Sequence, residues 1–285
     1  QGDSDFMPRE DRWRIGLPSW DRYGKGHPLL DDYPFDLGHI YNPYQQNVLK
    51  GDYPVIGQNT FLIINGTSLT LIDSRQVPTG TTPFESTTRS HREEFFGSPN
   101  QLGTIQNVIL NIELNHGDAA FKPLDWAVVL QPQFNYNQLN VDELAVINPD
   151  VRKGTQRLRD FVTLQEYFVE TKLADLSPYY DFVSLRVGSQ PFVSDFRGFL
   201  FNDVNRAVRL FGTLESQRDH FNLVYFRQAE KDTNSGLNTF EDRGQDVIIA
   251  NFFRQDFVFP GYTALVNFHY NHDPASFKFD RNGFL

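Results

Sequence analysis

The sequence has no cysteine among its 285 residues. This excludes disulfide frameworks, thiolate metal sites and thiol nucleophiles. No run of 18 apolar residues occurs either, which excludes a transmembrane helix, although a β-barrel strand crosses a membrane with only about 9–11 residues. Cations are also scarce, since 26 Lys and Arg stand against 36 Asp and Glu. Nucleic-acid binding is therefore not expected, because phosphate contacts need clustered cations.

Aromatic residues are abundant for a chain with a mean hydropathy of −0.46. The 27 Phe, 12 Tyr and 3 Trp must be accommodated in a sequence that is only 39% hydrophobic. Strands that alternate rings with polar side chains are one way to do so. The chain opens at Gln1 without a basic or apolar leader, which we interpret as a mature form whose signal peptide has been removed.

Residues 1–52 differ in character from the rest. They carry five prolines and follow neither a period of 2 nor one of 3.6. We expect an irregular N-terminal segment here, either a periplasmic arm or a plug inside a barrel. Residues 53–285 are expected to form β-strands.

Alternation of apolar and polar residues is the main signal after residue 53. Residues 124–137 sustain it for 14 positions, longer than the roughly 5–6 residues of an ordinary strand. In residues 262–271, the apolar face begins and ends with an aromatic side chain. This is expected of a strand whose two ends lie in the aromatic belts at the two membrane interfaces. Ten candidate strands result: 54–64, 68–77, 107–115, 124–137, 161–173, 183–190, 206–214, 220–230, 245–257 and 262–271.

The connections alternate in length. Short turns are predicted at Asn65-Gly66 and around 116–118, and long polar loops at 78–103, 138–160 and 231–244. Outer-membrane barrels have short turns at one end and long loops at the other, although regular strand spacing also fits a soluble β-sandwich. Strand length, together with a polar face rich in Asn, Gln, Arg and Asp but poor in Lys, favours an all-β, antiparallel transmembrane barrel in a Gram-negative-type outer membrane.

Charged residues on the candidate strands suggest a constriction that selects solutes by charge. Structural ion pairing within a polar lumen is the alternative, and both can hold together. The candidates are Arg186, Arg197, Arg206, Arg209, Arg227, Arg254, Asp195, Asp203 and Asp256.

One loop has oxygen-bearing residues at alternate positions, which suggests a calcium loop. Its residues are Asp232, Asn234, Gly236 and Asn238. The expected bidentate Glu is missing, because Arg243 stands at the twelfth position, and a polar extracellular loop is the alternative.

His269 and His272 would point to opposite strand faces, which disfavours a metal site. No G-x-S-x-G element accompanies His269, so an enzyme is not expected.

Two stretches resemble porin-like outer-membrane proteins, including alginate-export-type barrels. They are Y-D-F-V-S-L-R-V-G-S-Q-P-F-V-S-D-F-R-G-F-L-F at 180–201, with its R-x-G-x-Q-P element, and N-F-F-R-Q-D-F-V-F-P-G-Y at 251–262. The likeness covers residues 103–273. It implies passive or facilitated diffusion through an antiparallel barrel, no cofactor, and lumen positions for Arg186 and Arg197.

The C-terminal residues depart from that family. Residues 281–285 read as a turn leading into a further strand, whereas such barrels usually finish with a strand that closes on an aromatic residue. Ten strands would also make a narrow barrel, because a water-filled pore usually needs about 16–18. We therefore expect the N-terminal portion of a larger barrel.

The resulting functional prediction is a porin-like channel for passive diffusion of small hydrophilic solutes, surrounded by outer-membrane lipid. Homo-oligomers or a periplasmic or extracellular protein partner are compatible with it. Two alternatives remain open: a secreted all-β protein that binds carbohydrate, and a structural barrel that anchors or sheathes a partner protein.

Overall fold

A computed structural model describes residues 40–41, 47–52, 54–57, 59–78, 98–117, 122–274 and 276–285. They form one antiparallel sheet in which every strand pairs with its neighbours in sequence. The nine strands are β1 Thr60–Gln76, β2 Asn100–His116, β3 Trp126–Val141, β4 Gln156–Asp175, β5 Phe182–Val193, β6 Asn202–Leu214, β7 Asp219–Lys231, β8 Asn238–Gln255 and β9 Thr263–His272. A single 3-10 turn, Val151–Lys153, lies between β3 and β4. No helix in the described ranges is long and apolar enough to cross a membrane.

The all-β prediction is confirmed, but one predicted turn is wrong. Asn65-Gly66 lies inside β1, where these residues pair with Asn111 and Leu110 of β2. Two of the ten candidate strands are therefore one strand, and nine are described. Asn and Gly favour a hairpin turn locally, but seventeen consecutive pairings with β2 outweigh that preference.

The two faces of the sheet differ. We call the face that carries Leu130, Val208 and Leu223 the outer face, and the face that carries Asn135 and Phe226 the inner face. Successive side chains of a strand point to opposite faces, so the alternation in the sequence separates the two sets. All three outer-face residues are exposed, whereas Asn135 and Phe226 are buried.

The two ends of the sheet also differ. The connections after β2, β4, β6 and β8 meet at one end, which we call the short-turn end, where residues 215–218 join β6 to β7. The connections after β1, β3, β5 and β7 meet at the other, the long-loop end. All three long loops predicted from the sequence begin at this end, and each is shorter than predicted, because β2 already starts at Asn100, β4 at Gln156 and β8 at Asn238.

The sheet curls around its inner face. Asn238 at the start of β8 reaches β4 across the intervening strands, where the Thr163 hydroxyl donates to its carbonyl at 2.7 Å. Its backbone N–H donates to the side chain of Gln165 at 2.9 Å. The edge strands β1 and β9 do not pair with each other in the described residues, so the sheet is open there.

A hydrophobic cluster covers the inner face of β5 to β8. The 194–201 connection folds over it, and the Phe201 ring lies 4.7 Å from that of Phe226, centroid to centroid. Each fully buried Phe contributes roughly 1.5–3 kcal/mol through burial. The cluster consists of Phe192, Ala207, Val224, Phe226, Val247 and Ile249, with Phe201 packed against it.

The predicted N-terminal segment lies mostly outside the described residues, which include only 40–41 and 47–52 of it. This part contacts the free edge of β1, because the Ile64 N–H donates to the Leu49 carbonyl at 2.7 Å and Lys50 forms a bridge with Ile63. The arm and plug interpretations both remain predictions.

Candidate functional site

The outer face of β6 to β9 is built from rows of directly opposed residues. Three consecutive rows are apolar, and most of their side chains are exposed, including Phe268 at 61% and Val266 at 69%. The rows are Val208–Tyr225–Ile248–Tyr270, Leu210–Leu223–Ala250–Phe268 and Gly212–Phe221–Phe252–Val266. Exposed apolar side chains in register across four strands form a continuous band, unlike the scattered hydrophobics of an ordinary surface.

A charged row limits this band toward the long-loop end. It consists of Arg206, Arg227, Asp246 and His272, each directly opposite the next. The Arg227 guanidinium lies 2.9 Å from Asp246, and the Tyr225 hydroxyl, one row inward, donates to the same carboxylate at 2.7 Å. The polar tip of that tyrosine therefore points from the apolar band toward the charges.

At the short-turn end, the band is limited by an ion pair between Arg254 and Asp219, with 3.0 Å between Nη1 and Oδ2. Asp246 and Arg254 are eight positions apart on β8, which is about 27 Å along the strand at ~3.4 Å per residue. A strand tilted by about 35–45° would reduce this to roughly 19–22 Å, close to the apolar band of about 25 Å on outer-membrane barrels.

The inner face of β2 to β4 is lined with amides. Asn135, only 1% exposed, accepts a hydrogen bond from Asn137 at 2.7 Å and donates to Asn107 at 2.6 Å. Gln133 and Thr163 are buried on the same face. Buried polar side chains need hydrogen-bond partners, and this ladder supplies them between neighbouring strands.

Two of the predicted arginines meet on the inner face, where Arg186 of β5 lies directly opposite Arg209 of β6. Opposed like charges destabilise a sheet, and Glu170 of β4 offsets this through its Oε2, 2.8 Å from the Nε of Arg186. The Phe211 ring lies near both guanidiniums, at 4.4 Å from Arg209 and 5.4 Å from Arg186. Arg209 itself donates to Asn222 at 2.8 Å.

Three further predicted residues lie on or near the inner face. Asp203 of β6 bonds to Lys231 at 2.7 Å. Asp195 and Arg197 lie in the 194–201 connection, where Asp195 accepts the backbone N–H of Phe199 at 3.2 Å and Arg197 is exposed. These two residues are therefore carried by a loop and not by a strand.

The charged candidates do not all lie on one face of the sheet. Arg206 and Arg254 lie on the outer face, in the rows that limit the apolar band. Asp256 lies in the turn after β8, where its carboxylate accepts the Gly261 N–H at 2.7 Å. Along β6, Arg206 alternates in phase with Val208, and along β8, Arg254 alternates in phase with Phe252, so the alternation already assigns both arginines to the apolar face.

The predicted calcium loop forms the connection between β7 and β8. The Asp232 carboxylate accepts the N–H groups of Asn234 and Ser235 at 3.2 and 2.9 Å, and the Asn238 side-chain oxygen accepts from Lys231 at 3.0 Å. Gly236 lies in the same connection and donates its N–H to the Asp232 carbonyl at 2.8 Å. In the part of the chain that the structure describes, no three His, Asp or Glu residues gather as a metal site. Calcium binding remains a prediction that this loop geometry does not favour.

A buried carboxylate forms hydrogen bonds with two turns at the short-turn end. Asp181 accepts the Ser177 hydroxyl at 2.7 Å and the backbone N–H groups of Gln217 and Ser216 at 2.8 and 3.0 Å. These hydrogen bonds, of which the one from Ser177 has the largest effect, hold the pKa of Asp181 below its usual range. Asp181 therefore fixes the turn before β5 against the turn before β7 in its ionised form.

Sequence reasoning missed Glu170, the carboxylate that pairs with Arg186. Its signal is obscured because β4 contains a bulge: Gln131 opposes Glu166 and Pro132 opposes Leu164, so Gln165 has no opposing residue on β3. The strand changes phase at this point, so no single alternation assigns its residues to faces. No protein-family model, curated protein or solved structure matches this chain.

Proposed function

We propose that this chain forms the wall of an outer-membrane β-barrel that acts as a porin-like channel for small hydrophilic solutes. The observation that carries the proposal is a distribution of polar and apolar side chains that is the reverse of the one in a water-soluble protein. The outer face exposes three apolar rows in register, whereas amides such as Asn135 are buried on the inner face. Water disfavours this arrangement, but lipid outside and a hydrated lumen inside favour it.

The limits of the apolar band support the same proposal. The charged row that includes Arg227 and the Asp219–Arg254 pair lie where a tilted strand would leave the hydrocarbon. Charged side chains are costly at the middle of a bilayer but cost little near its interfaces. The spacing of these rows therefore suits one bilayer crossing per strand.

Closure of the barrel requires more than the nine described strands. In a meander of nine, β1 and β9 run in the same direction, and an all-antiparallel barrel needs an even number. At least one additional strand between β1 and β9 would join the two open edges. A wider barrel with several additional strands would give a larger lumen.

Passage of hydrophilic solutes is supported by the polar inner face. The amide ladder of β2 to β4 offers donors and acceptors to a hydrated solute, and the Arg186–Glu170–Arg209 group adds two cations and one anion. Such a group would make the channel favour anions over cations.

A structural barrel without flux is a second candidate, because the inner face is not polar throughout. The apolar cluster around Phe226 and the 194–201 connection occupy the inner face of β5 to β8. A barrel filled in this way would anchor a partner without conducting solutes.

Two measurements test these proposals on the full chain. Unboiled and boiled samples from detergent extracts are compared on a gel, where faster migration of the unboiled band is expected of a closed barrel. The purified protein is then reconstituted into vesicles, and osmotic swelling in sugars of increasing size is recorded. A water-soluble product without a mobility shift would refute the barrel, and a shifted band without swelling would leave the structural candidate.

A further inference from the structure

A cavity of about 200 Å³ lies on the inner face near the long-loop end. Strands β1 to β4 form its wall together with the turn between β7 and β8. The polar groups that line it include Asp73, Arg75, Asn137, Arg157 and Asn234. It is separate from the Arg186–Arg209 group, and none of the predicted constriction residues belongs to it.

Arg157 is the distinctive residue of this cavity. Its Nη1 donates to the Ile147 carbonyl at 3.2 Å, but its Nε is buried and has no hydrogen-bond partner. No described carboxylate lies within ion-pair distance of it. Asp280 acts on it electrostatically from farther away, but that carboxylate already accepts the backbone N–H groups of Asn282 and Phe284 at 2.9 and 2.7 Å. A partly buried guanidinium without a counterion is costly unless an anion joins it.

The surrounding charges do not neutralise Arg157. Asp73 lines the cavity, but its carboxylate lies 3.5 Å from the Nε of Arg75. Arg159, on the same face of β4, donates to the Leu158 carbonyl at 3.0 Å and to the Asn282 side chain at 3.3 Å, and it has no ion pair with a described carboxylate. Near the cavity, Arg281 lies 3.9 Å from Asp232. Arg157 and Arg159 therefore stand against one carboxylate, that of Asp280, and neither forms an ion pair with a described carboxylate.

We infer that this cavity binds the carboxylate of a small hydroxylated solute. Arg157 would bind the carboxylate through charge-assisted hydrogen bonds. The amides of Asn137 and Asn234 have further donor and acceptor capacity for hydroxyl groups. The inference extends the proposed function by naming a class of solute. It rests on that function, because the solute would reach the cavity from the inner face of the barrel.

The test compares gluconate with sorbitol, a polyol of the same carbon number without the carboxylate. Binding to the full chain in detergent micelles is measured by calorimetry. We expect sorbitol to bind at least about tenfold more weakly than gluconate. Arg157→Gln should weaken gluconate binding about tenfold, the loss expected for one charge-assisted hydrogen bond. Arg152→Gln is the matched control, because Arg152 lies on the neighbouring 3-10 turn with its side chain 87% exposed, and it should bind gluconate like the parent chain.

Equal affinities for gluconate and sorbitol, or undiminished gluconate binding by a folded Arg157→Gln variant, would overturn the inference. If that variant does not fold, Asn234→Asp serves instead, because it adds a negative charge to the cavity wall and should also weaken gluconate binding. Binding in micelles requires no transport, so it separates the two proposals. Vesicle swelling without gluconate binding would overturn only the proposed binding site. Gluconate binding without swelling would support the binding site and contradict the proposed channel function.

Discussion

The outer-face band can be tested by placing the same charge at two depths. Leu223 lies in the central apolar row and is 51% exposed, whereas Leu158 lies on the outer face of β4, beyond Asp160 toward the long-loop end, and is 52% exposed. In water, Leu→Arg at either position should change the free energy of unfolding by no more than about 0.5 kcal/mol. In a bilayer, Arg costs about 2–4 kcal/mol at the midplane but only about 0–1 kcal/mol near an interface.

We therefore expect Leu223→Arg to lose about 2–4 kcal/mol and Leu158→Arg less than about 1 kcal/mol. The assay is urea unfolding of the chain in phosphatidylcholine vesicles, with the folded fraction read from unboiled gel migration. A difference of 2 kcal/mol is roughly a thirtyfold change in the folding equilibrium, well within reach of the method. Equal losses at both positions would refute the assignment of the band to lipid.

Four further substitutions test the packing, the strand pairing and the turns. Phe226→Ala should lower the free energy of unfolding by about 3–5 kcal/mol in urea titrations, because the ring is 0% exposed within the inner cluster; a loss below 1 kcal/mol would contradict that packing. Gly188→Ala should abolish the folded band on unboiled gels, since a Cβ would lie 2.1 Å from a backbone oxygen of β4, whereas Gly66→Ala, with open space around it, should fold. Asp181→Asn should reduce thermal stability at pH 7. Because the pKa of Asp181 is lowered in the folded state, its stabilisation is present above the unfolded pKa of about 3.9 and disappears as the pH falls through the folded value. The two melting temperatures should therefore converge in acid, and a constant difference from pH 7 to pH 3 would argue against ionised Asp181.

Much of the fold follows from strand period. Asn135 and Phe134 are assigned to opposite faces by alternation alone, and both lie where that assignment puts them. The period fails at β1, where Asn65-Gly66 looks like a turn, and at β4, where Gln165 is an extra residue in the bulge. Both failures depend on which strand lies alongside, and a single strand's sequence does not contain that information.

The site was less predictable than the fold. Alternation places Arg186 on the inner face and Arg254 on the outer face, but their partners, Glu170 and Asp219, lie on neighbouring strands. Arg157 gave no signal at all, because what singles it out is the absence of an ion pair with any described carboxylate. Such an absence becomes visible only when the surrounding strands are in place.

The contact of Asn238 with β4 has a consequence for how the chain folds. Each strand pairing joins segments that follow one another, so the sheet can grow hairpin by hairpin with low loop-closure cost. The bond from Thr163 to the Asn238 carbonyl spans 75 residues and bypasses three strands. It can form only after β5 to β8 have assembled and curled. This long-range contact therefore reports a late stage of folding, and its loss would slow the final curling without delaying the early hairpins.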